Sequence, residues 1–363
     1  MIITRQRLPF LFLLPYPYHY DTANYKAMTT LNTKKYKKQS IGGNFMDTQK
    51  SIEHFDYCYE KASSIFEEVR KVIIDKETVL LKVLMTILAK GHVLIDDVPG
   101  VGKTTLAVAF SKALHLEYHR LQFTPDILPS DIVGFSIYNK KTEDFEYKKG
   151  AAFCNLFLAD EINRTSPKSQ SALLELMEEG QVSIDGVTHV LPNPFFVIAT
   201  QNPIGSIGTQ LLPESQMDRF MSCLSMGYPS VANEIEILKG REYKNPLDEV
   251  QAISTIDDLL LIQSVVEKIY ISDPIYQYIV NLANATRNHP MIRIGISPRG
   301  SLALMRMAKS AAFLKERDFV VPEDIKLIFS DVCAHRIVLD PKTKASGTTS
   351  AQVLSQILKN VNP

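Results

Sequence analysis

The chain has 363 residues, 45% hydrophobic and 22% charged, with Lys+Arg and Asp+Glu both at 40 and a formal net charge of zero. That length leaves room for about two domains at roughly 150 residues each, and the balance is that of an ordinary globular protein. A protein gripping duplex DNA by many phosphates carries a basic excess or stripe, and a membrane span needs roughly 18 apolar residues in a row; the sequence has no strong signal for nucleic acid and no membrane span.

The first 45 residues differ in character from the rest of the chain. Leu8 to Leu14 is apolar behind Arg5 and Arg7, but Pro9, Pro15 and Pro17 break the stretch and no small-residue cleavage site comes after it, which disfavours an export signal. Gly42-Gly43-Asn44-Phe45-Met46 is what a ribosome-binding run just ahead of a start codon would encode. The expectation is therefore that translation starts at Met46 and that 1–45 is a non-native or disordered extension. Cys58, Cys154, Cys223 and Cys333 are far apart and form no C-x-x-C pair. They predict reduced thiols in a cytoplasmic protein, with no disulfide framework or zinc site.

Residues 46–90 read as N-terminal helices of the core. Apolar side chains recur at Ile65, Val69, Val72 and Ile73, then at Val79, Leu80, Val83, Leu84, Ile87 and Leu88, and Gly91 closes the run. From 91 to 240, short apolar runs at 92–95, 156–159 and 195–199 alternate with helical patterns at 103–114 and 168–178. This predicts an α/β core, a mainly parallel sheet with helices on both faces. Two β-hairpin inserts are expected, at 136–151 and at 181–190, the second turning on Asp185-Gly186. Residues 241–249 with Pro246 read as a linker. Helical patterns at 257–269, 274–287, 300–316 and 323–336 then predict a small all-α lid domain over 250–345, and 346–363 is expected as a C-terminal tail.

Gly100-Val101-Gly102-Lys103-Thr104-Thr105 stands between the first strand and a helix, the context of a P-loop. Glycines let backbone N–H groups approach phosphates, and the helix N-terminus adds partial positive charge. ATP would be held by Pro99, Gly100, Val101, Gly102, Lys103, Thr104 and Thr105, with Lys103 on the β- and γ-phosphates and the Thr104 hydroxyl on Mg²⁺. The first glycine of the strict pattern is Asp97 here. Asp tolerates the left-handed backbone region, and Asp96 and Asp97 are expected to point away from the triphosphate. The alternative is a glycine-rich loop without nucleotide.

Asp160-Glu161 ends the strand at 156–159. Asp160 could hold Mg²⁺ through water and Glu161 could act as general base on the attacking water, although the same pair could be a capped turn before a helix. Asn202, at the end of the strand at 195–199, could orient that water or could be a polar turn residue before Pro203.

These motifs belong to an ordered set. Phe123-Thr124-Pro125-Asp126-Ile127-Leu128-Pro129-Ser130-Asp131-Ile132, Leu158-Ala159-Asp160-Glu161-Ile162-Asn163-Arg164, Ala199-Thr200-Gln201-Asn202-Pro203, Leu212-Pro213-Glu214-Ser215-Gln216-Met217-Asp218-Arg219-Phe220 and Ser297-Pro298-Arg299 resemble successive signature blocks of the MoxR family of AAA+ ATPases. The resemblance runs from about Lys71 to Leu339. It implies an AAA+ P-loop NTPase core with a helical lid, binding ATP and Mg²⁺ and hydrolysing ATP. It also implies that Asn202 is the sensor-1 residue, that Arg219 is an arginine finger acting on a neighbouring subunit's γ-phosphate, and that Arg299 is sensor 2; the alternatives are Arg219 as a surface helix residue and Arg299 as a linker salt bridge. The hairpins resemble the two inserts that face a client in related rings. The implied assembly is a homo-oligomeric ring, a hexamer, that remodels, matures or assembles a client or adaptor protein, of a class that includes von Willebrand factor A-type domains. A magnesium-chelatase-like motor subunit, a DNA translocase and a non-hydrolysing nucleotide switch are the alternatives. The chain departs from the family at Asp97 and at Val72-Ile73-Ile74-Asp75-Lys76, where a glycine near the adenine is common.

Overall fold

The computed structural model describes residues 45–202 and 212–363. The extension expected over 1–45 lies outside the described residues except for Phe45, which opens the first helix. Helix α1 is Phe45–Arg70 and α2 is Glu77–Leu88. Helix α1 buries Cys58, Ala62, Ile65, Phe66 and Val69 as one stripe at helical spacing, and α2 is almost wholly buried from Leu80 onward. The stop after α2 differs from the expectation: Lys90 takes the left-handed turn at φ 57°. Gly91 is needed for a different reason, because a Cβ there would lie 2.4 Å from Met221 Sδ.

The chain continues through β1 (Val93–Asp96), α3 (Lys103–Ala113), β2 (Tyr118–Gln122), α4 (Pro129–Val133), β3 (Gly134–Asn139) and β4 (Asp144–Lys149). It then forms β5 (Leu156–Asp160), α5 (Pro167–Glu179), β6 (Gln181–Ile184), β7 (Val187–Val190), β8 (Phe196–Gln201), α6 (Glu214–Met217) and β9 (Ser222–Leu224). Five strands make one parallel sheet in the order β2-β5-β8-β1-β9. Side chains alternate between its faces. Val93, Ile95, Leu156, Leu158 and Ile198 join the core formed with α1, α2, α3 and the lid. Leu94, Phe157, Ala159, Val197 and Ala199 join Leu173, Leu174 and Phe220 on the other side. The register sets Asp96 beside Gln201 and Asp160 beside Gln122, so the polar ends of four strands share one carboxyl edge. That edge is where open α/β sheets bind ligands.

Strands β3 and β4 pair antiparallel along their full length, as do β6 and β7. Asp185 and Gly186 both have positive φ, 51° and 79°, the backbone of a tight two-residue hairpin turn. The two hairpins meet where the rings of Tyr147 and His189 stack with centroids 3.7 Å apart. Phe135, Ile137, Tyr138 and Phe145 on the first hairpin are exposed.

After β9 come α7 (Val231–Gly240), α8 (Ile256–Glu267), α9 (Asp273–Arg287), β10 (Ile292–Ile294), α10 (Pro298–Phe313), α11 (Pro322–Cys333), β11 (Val338–Leu339), α12 (Pro341–Ala345) and α13 (Ser350–Asn360). Side chains of Thr255, Ser297 and Thr349 cap α8, α10 and α13 by accepting from the N–H three residues on. The tail expected over 346–363 contains α13, which buries Val353, Leu354 and Ile357 against the lid core. Burying each of these is worth about 1.5–3 kcal/mol, enough to dock a helix that would be marginal alone. The four cysteines are free thiols, three buried and Cys223 half-buried. Among the described residues no helix is long and apolar enough to cross a membrane.

Candidate nucleotide site

Strand β1 delivers the chain to the loop 97–102, and α3 opens at Lys103. Gly100 and Gly102 have φ of 86° and 97°, values that a side chain would strain. A Cβ at Gly100 would meet nothing within 4 Å, so the requirement there is conformational rather than steric.

Asp97 does not occupy the left-handed region; its carboxylate is turned inward, away from the loop's open side. Its Oδ1 accepts from Val98 N at 2.8 Å, and its Oδ2 accepts from Ser225 Oγ, Met226 N and Gly227 N at 2.9, 2.5 and 2.6 Å. Burial opposes ionisation, but these hydrogen bonds outweigh it and hold the carboxyl below the usual aspartate range. Asp97 thus fastens the loop to the segment after β9. Neither Asp96 nor Asp97 borders the adjoining cleft.

That cleft, about 820 Å³, lies over the loop and the carboxyl edge of the sheet. Pro99, Gly100, Val101, Gly102, Lys103, Thr104 and Thr105 line it, with Asp160, Glu161 and Asn202. Val72, Ile73, Ile74, Tyr228 and Ile237 supply an apolar wall, so the segment without the usual glycine still borders the cleft. Lys103 is buried, and its Nζ donates to the carbonyls of Asp97 and Gln201 and, at 3.5 Å, to Asn202 Oδ1. Burial lowers its pKa, while Asp97, Asp160, Asp96 and Glu161 pull the other way.

Because β8 lies between β1 and β5, Thr200 and Asn202 sit between the loop and the acids. The Thr200 hydroxyl donates to Asp160 Oδ1 at 2.6 Å and accepts from Glu161 N at 2.8 Å. Arg120, on β2, donates to Asp160 Oδ2 from Nη2 at 2.7 Å and from Nε at 3.2 Å. Glu161 is held in left-handed backbone, φ 57° and ψ 47°, a conformation that costs of order 1 kcal/mol for a residue with a side chain. Its Oε1 accepts from Asn202 Nδ2 at 3.1 Å and its Oε2 from Arg164 Nη1 at 2.7 Å. Burial raises the Glu161 pKa, and the bonds from Arg164 and Asn202 more than reverse this, leaving the carboxylate ionised. Asn163 exchanges two hydrogen bonds with the Asn202 backbone, at 3.1 and 3.4 Å.

The donor set fits a triphosphate with Mg²⁺. Two left-handed glycines, a helix N-terminus, a buried lysine, the Thr104 hydroxyl and a buried Asp160 converge on one cleft. Magnesium keeps several waters and takes one or two protein oxygens plus phosphates.

Arg219 and Arg299 stand elsewhere and do not line this cleft. Both meet Glu178 near the end of α5: Arg299 Nη2 lies 2.5 Å from Oε1, and Arg219 Nε lies 3.5 Å from Oε2. Asp218 links the same region to the lid, accepting from Ser297 Oγ at 2.8 Å and from Arg336 Nε at 2.7 Å. Reading along the chain misses Arg120, Thr200, Asn163 and Glu178. Asn163 and Thr200 lie inside the motif blocks; Arg120 and Glu178 carry no local signal.

A family model described as the ATPase family associated with various cellular activities matches residues 92–222, and an AAA lid domain model matches 284–357. The chain is 46% identical over 81% of its length to the uncharacterised protein YeaC of Bacillus subtilis, covering 92% of that protein. It is 39% identical to the chaperone MoxR1 of Mycobacterium tuberculosis, over 81% of this chain and 80% of that one, and 30% identical to the MoxR protein of Methylorubrum extorquens, over 78% and 89%. A crystal structure from Cytophaga hutchinsonii, assigned as an ATPase, superposes with a TM-score of 0.81 at 40% identity, over 87% of this chain and 99% of that one. The fold, with its parallel sheet and helical lid, agrees with these matches. The chain belongs to the MoxR family of AAA+ ATPases.

Proposed function

We propose that the chain binds Mg²⁺ and ATP and hydrolyses ATP to ADP and phosphate within a cytoplasmic homo-oligomeric ring, a hexamer on the AAA+ pattern. The work done would be chaperone-like remodelling, maturation or assembly of a client protein. The observation that carries this reading is a division of the motifs between two places. The phosphate loop, Asp160, Glu161 and Asn202 share one cleft, and the arginines Arg219 and Arg299 share another part of the surface.

In this reading the loop backbone at 99–102 and the start of α3 cradle the phosphates, and Lys103 leaves its carbonyl partners to bind the β- and γ-phosphates. Bound Mg²⁺ supplies charge neutralisation across those phosphates, and Thr104 and Asp160 would hold it. Asp160 keeps its carboxylate oriented through Thr200 and Arg120. Glu161, ionised and strained into place, accepts a proton from the attacking water. Asn202 fixes the Glu161 carboxylate, and Asn163 fixes Asn202. Arg219 and Arg299 would serve the γ-phosphate held by a neighbouring copy, where guanidinium charge counters the charge of the transition state. The exposed apolar side chains of the β3–β4 hairpin suit contact with a client or adaptor, for which a protein with a von Willebrand factor A-type domain is the proposed class. The name of the Mycobacterium tuberculosis relative, a chaperone, supports the same reading.

The test mixes two inactive variants. Lys103→Ala removes the phosphate cation, and Arg219→Ala leaves the cleft intact but removes the finger. A mixed ring sets an intact loop beside an intact finger, so ATPase activity should return. No recovery in a mixture shown by sizing to co-assemble would sink the proposal that Arg219 acts between subunits.

A further inference from the structure

We propose that Glu178 is a positioning residue that holds Arg219 and Arg299 together as a single two-guanidinium unit, presented to the terminal phosphate of a nucleoside triphosphate bound by a second copy of this chain. The proposal rests on the ring reading above and assigns a residue to it.

Arg219 belongs to the α/β core and Arg299 to the lid, 80 positions apart in the chain and carried by different domains. One carboxylate meets both, with Oε1 on Arg299 and Oε2 on Arg219. Two guanidiniums this near each other repel, and an anion between them is what keeps them side by side. Arg299 is in addition badly placed for helix stability. It is the second residue of α10, whose first turn has no acidic residue, and a cation at a helix N-terminus opposes the helix dipole. Glu178 is the compensating charge. Arg219 Nε is buried and has no hydrogen-bond partner among the described residues, so its contact with Glu178 is ionic and loose at 3.5 Å.

A second carboxylate fixes the frame around the pair. Asp218, next to Arg219, binds Ser297, the N-cap of the helix that carries Arg299, and also the buried Arg336 of the lid. The backbones of the two arginines are thereby set, and Glu178 sets the two side chains. All three remain accessible, with 31% of the Arg219, 38% of the Glu178 and 41% of the Arg299 side chain exposed. An incoming phosphate can therefore take over from Glu178. A carboxylate that only stapled core to lid would not need to lie between the two cations.

Glu178→Gln keeps the shape and removes the charge. The turnover number at saturating ATP should fall by between about tenfold and a hundredfold, the range for a misplaced catalytic group, while KM for ATP and nucleotide binding stay within about twofold. Mixing then assigns the side of the interface on which Glu178 acts. Glu178→Gln mixed with Lys103→Ala should recover activity, because an intact loop then faces an intact arginine unit. Glu178→Gln mixed with Arg219→Ala should recover none, since both lack a working unit. Wild-type turnover in Glu178→Gln, or recovery with Arg219→Ala, would overturn the assignment. The Lys103→Ala and Arg219→Ala mixture is the control. If it fails, the ring reading falls and this proposal with it; if it succeeds and the Glu178 arms do not behave as stated, this proposal alone falls.

Discussion

Asp97 stands where the P-loop pattern has its first glycine, and the structure gives this exchange a purpose: four hydrogen bonds converge on its buried carboxylate, and three of them tie the loop to residues 225–227. Asp97→Asn keeps one oxygen, adds a donor facing N–H groups, and should cost about 1–3 kcal/mol of stability at neutral pH. The pH dependence comes from the depressed pKa. The folded value lies below that of the unfolded chain, about 3.9, so the ionised form stabilises fully above that pH and its contribution fades as the pH falls toward the folded value. The gap between the melting curves of the two proteins should be constant from pH 7 down to about pH 4 and should shrink steadily as the pH falls further toward the folded value; a gap that does not change with pH below about pH 4 would mean the charge is not what matters. At this scale the phosphate loop, Asp160, Glu161 and Asn202 were legible because each lies in a short run with its own chemistry. Arg120 and Glu178 were not, because their meaning comes from partners 40 and 121 positions away.

Strands β1, β5 and β8 announce themselves as apolar runs because both faces of the sheet are covered. Strand β2 reads Tyr-His-Arg-Leu-Gln and is half-buried at the sheet edge, so it has no apolar run to detect, although it carries Arg120 to Asp160. Strand β9 is three residues long and gives no periodicity at all. Helix α13 falls in the stretch expected as tail, yet Val353, Leu354 and Ile357 lie on one face and are buried. Leu354→Ala should therefore lower stability by about 2–5 kcal/mol, as core truncations do. Thermal melting followed by circular dichroism checks this, and a loss within about 0.5 kcal/mol, the range of surface substitutions, would mean that the helix is not part of the core.

For the whole molecule, under the proposed function the separation of the phosphate cleft from Arg219 and Arg299 would make each copy half of two sites. Such an interface would be heterologous, and it gives a ring where the rotation between copies closes. Specific ATPase activity should then rise with protein concentration through the assembly range, and flat activity from dilute monomer to ring would contradict that arrangement. The resemblance in sequence names both arginines, and the carboxylate of Glu178, which no local pattern singles out, is what both of them meet. The segment from Ser225 to Glu249 has a different consequence. It gives the cleft Tyr228, Ile237 and Arg241, receives the Asp97 carboxylate at its start, and is the stretch of chain that leads from the last sheet strand to the lid helices. The wall is also the tether, so a ligand that fills the cleft would bear directly on the stretch of chain that joins sheet to lid.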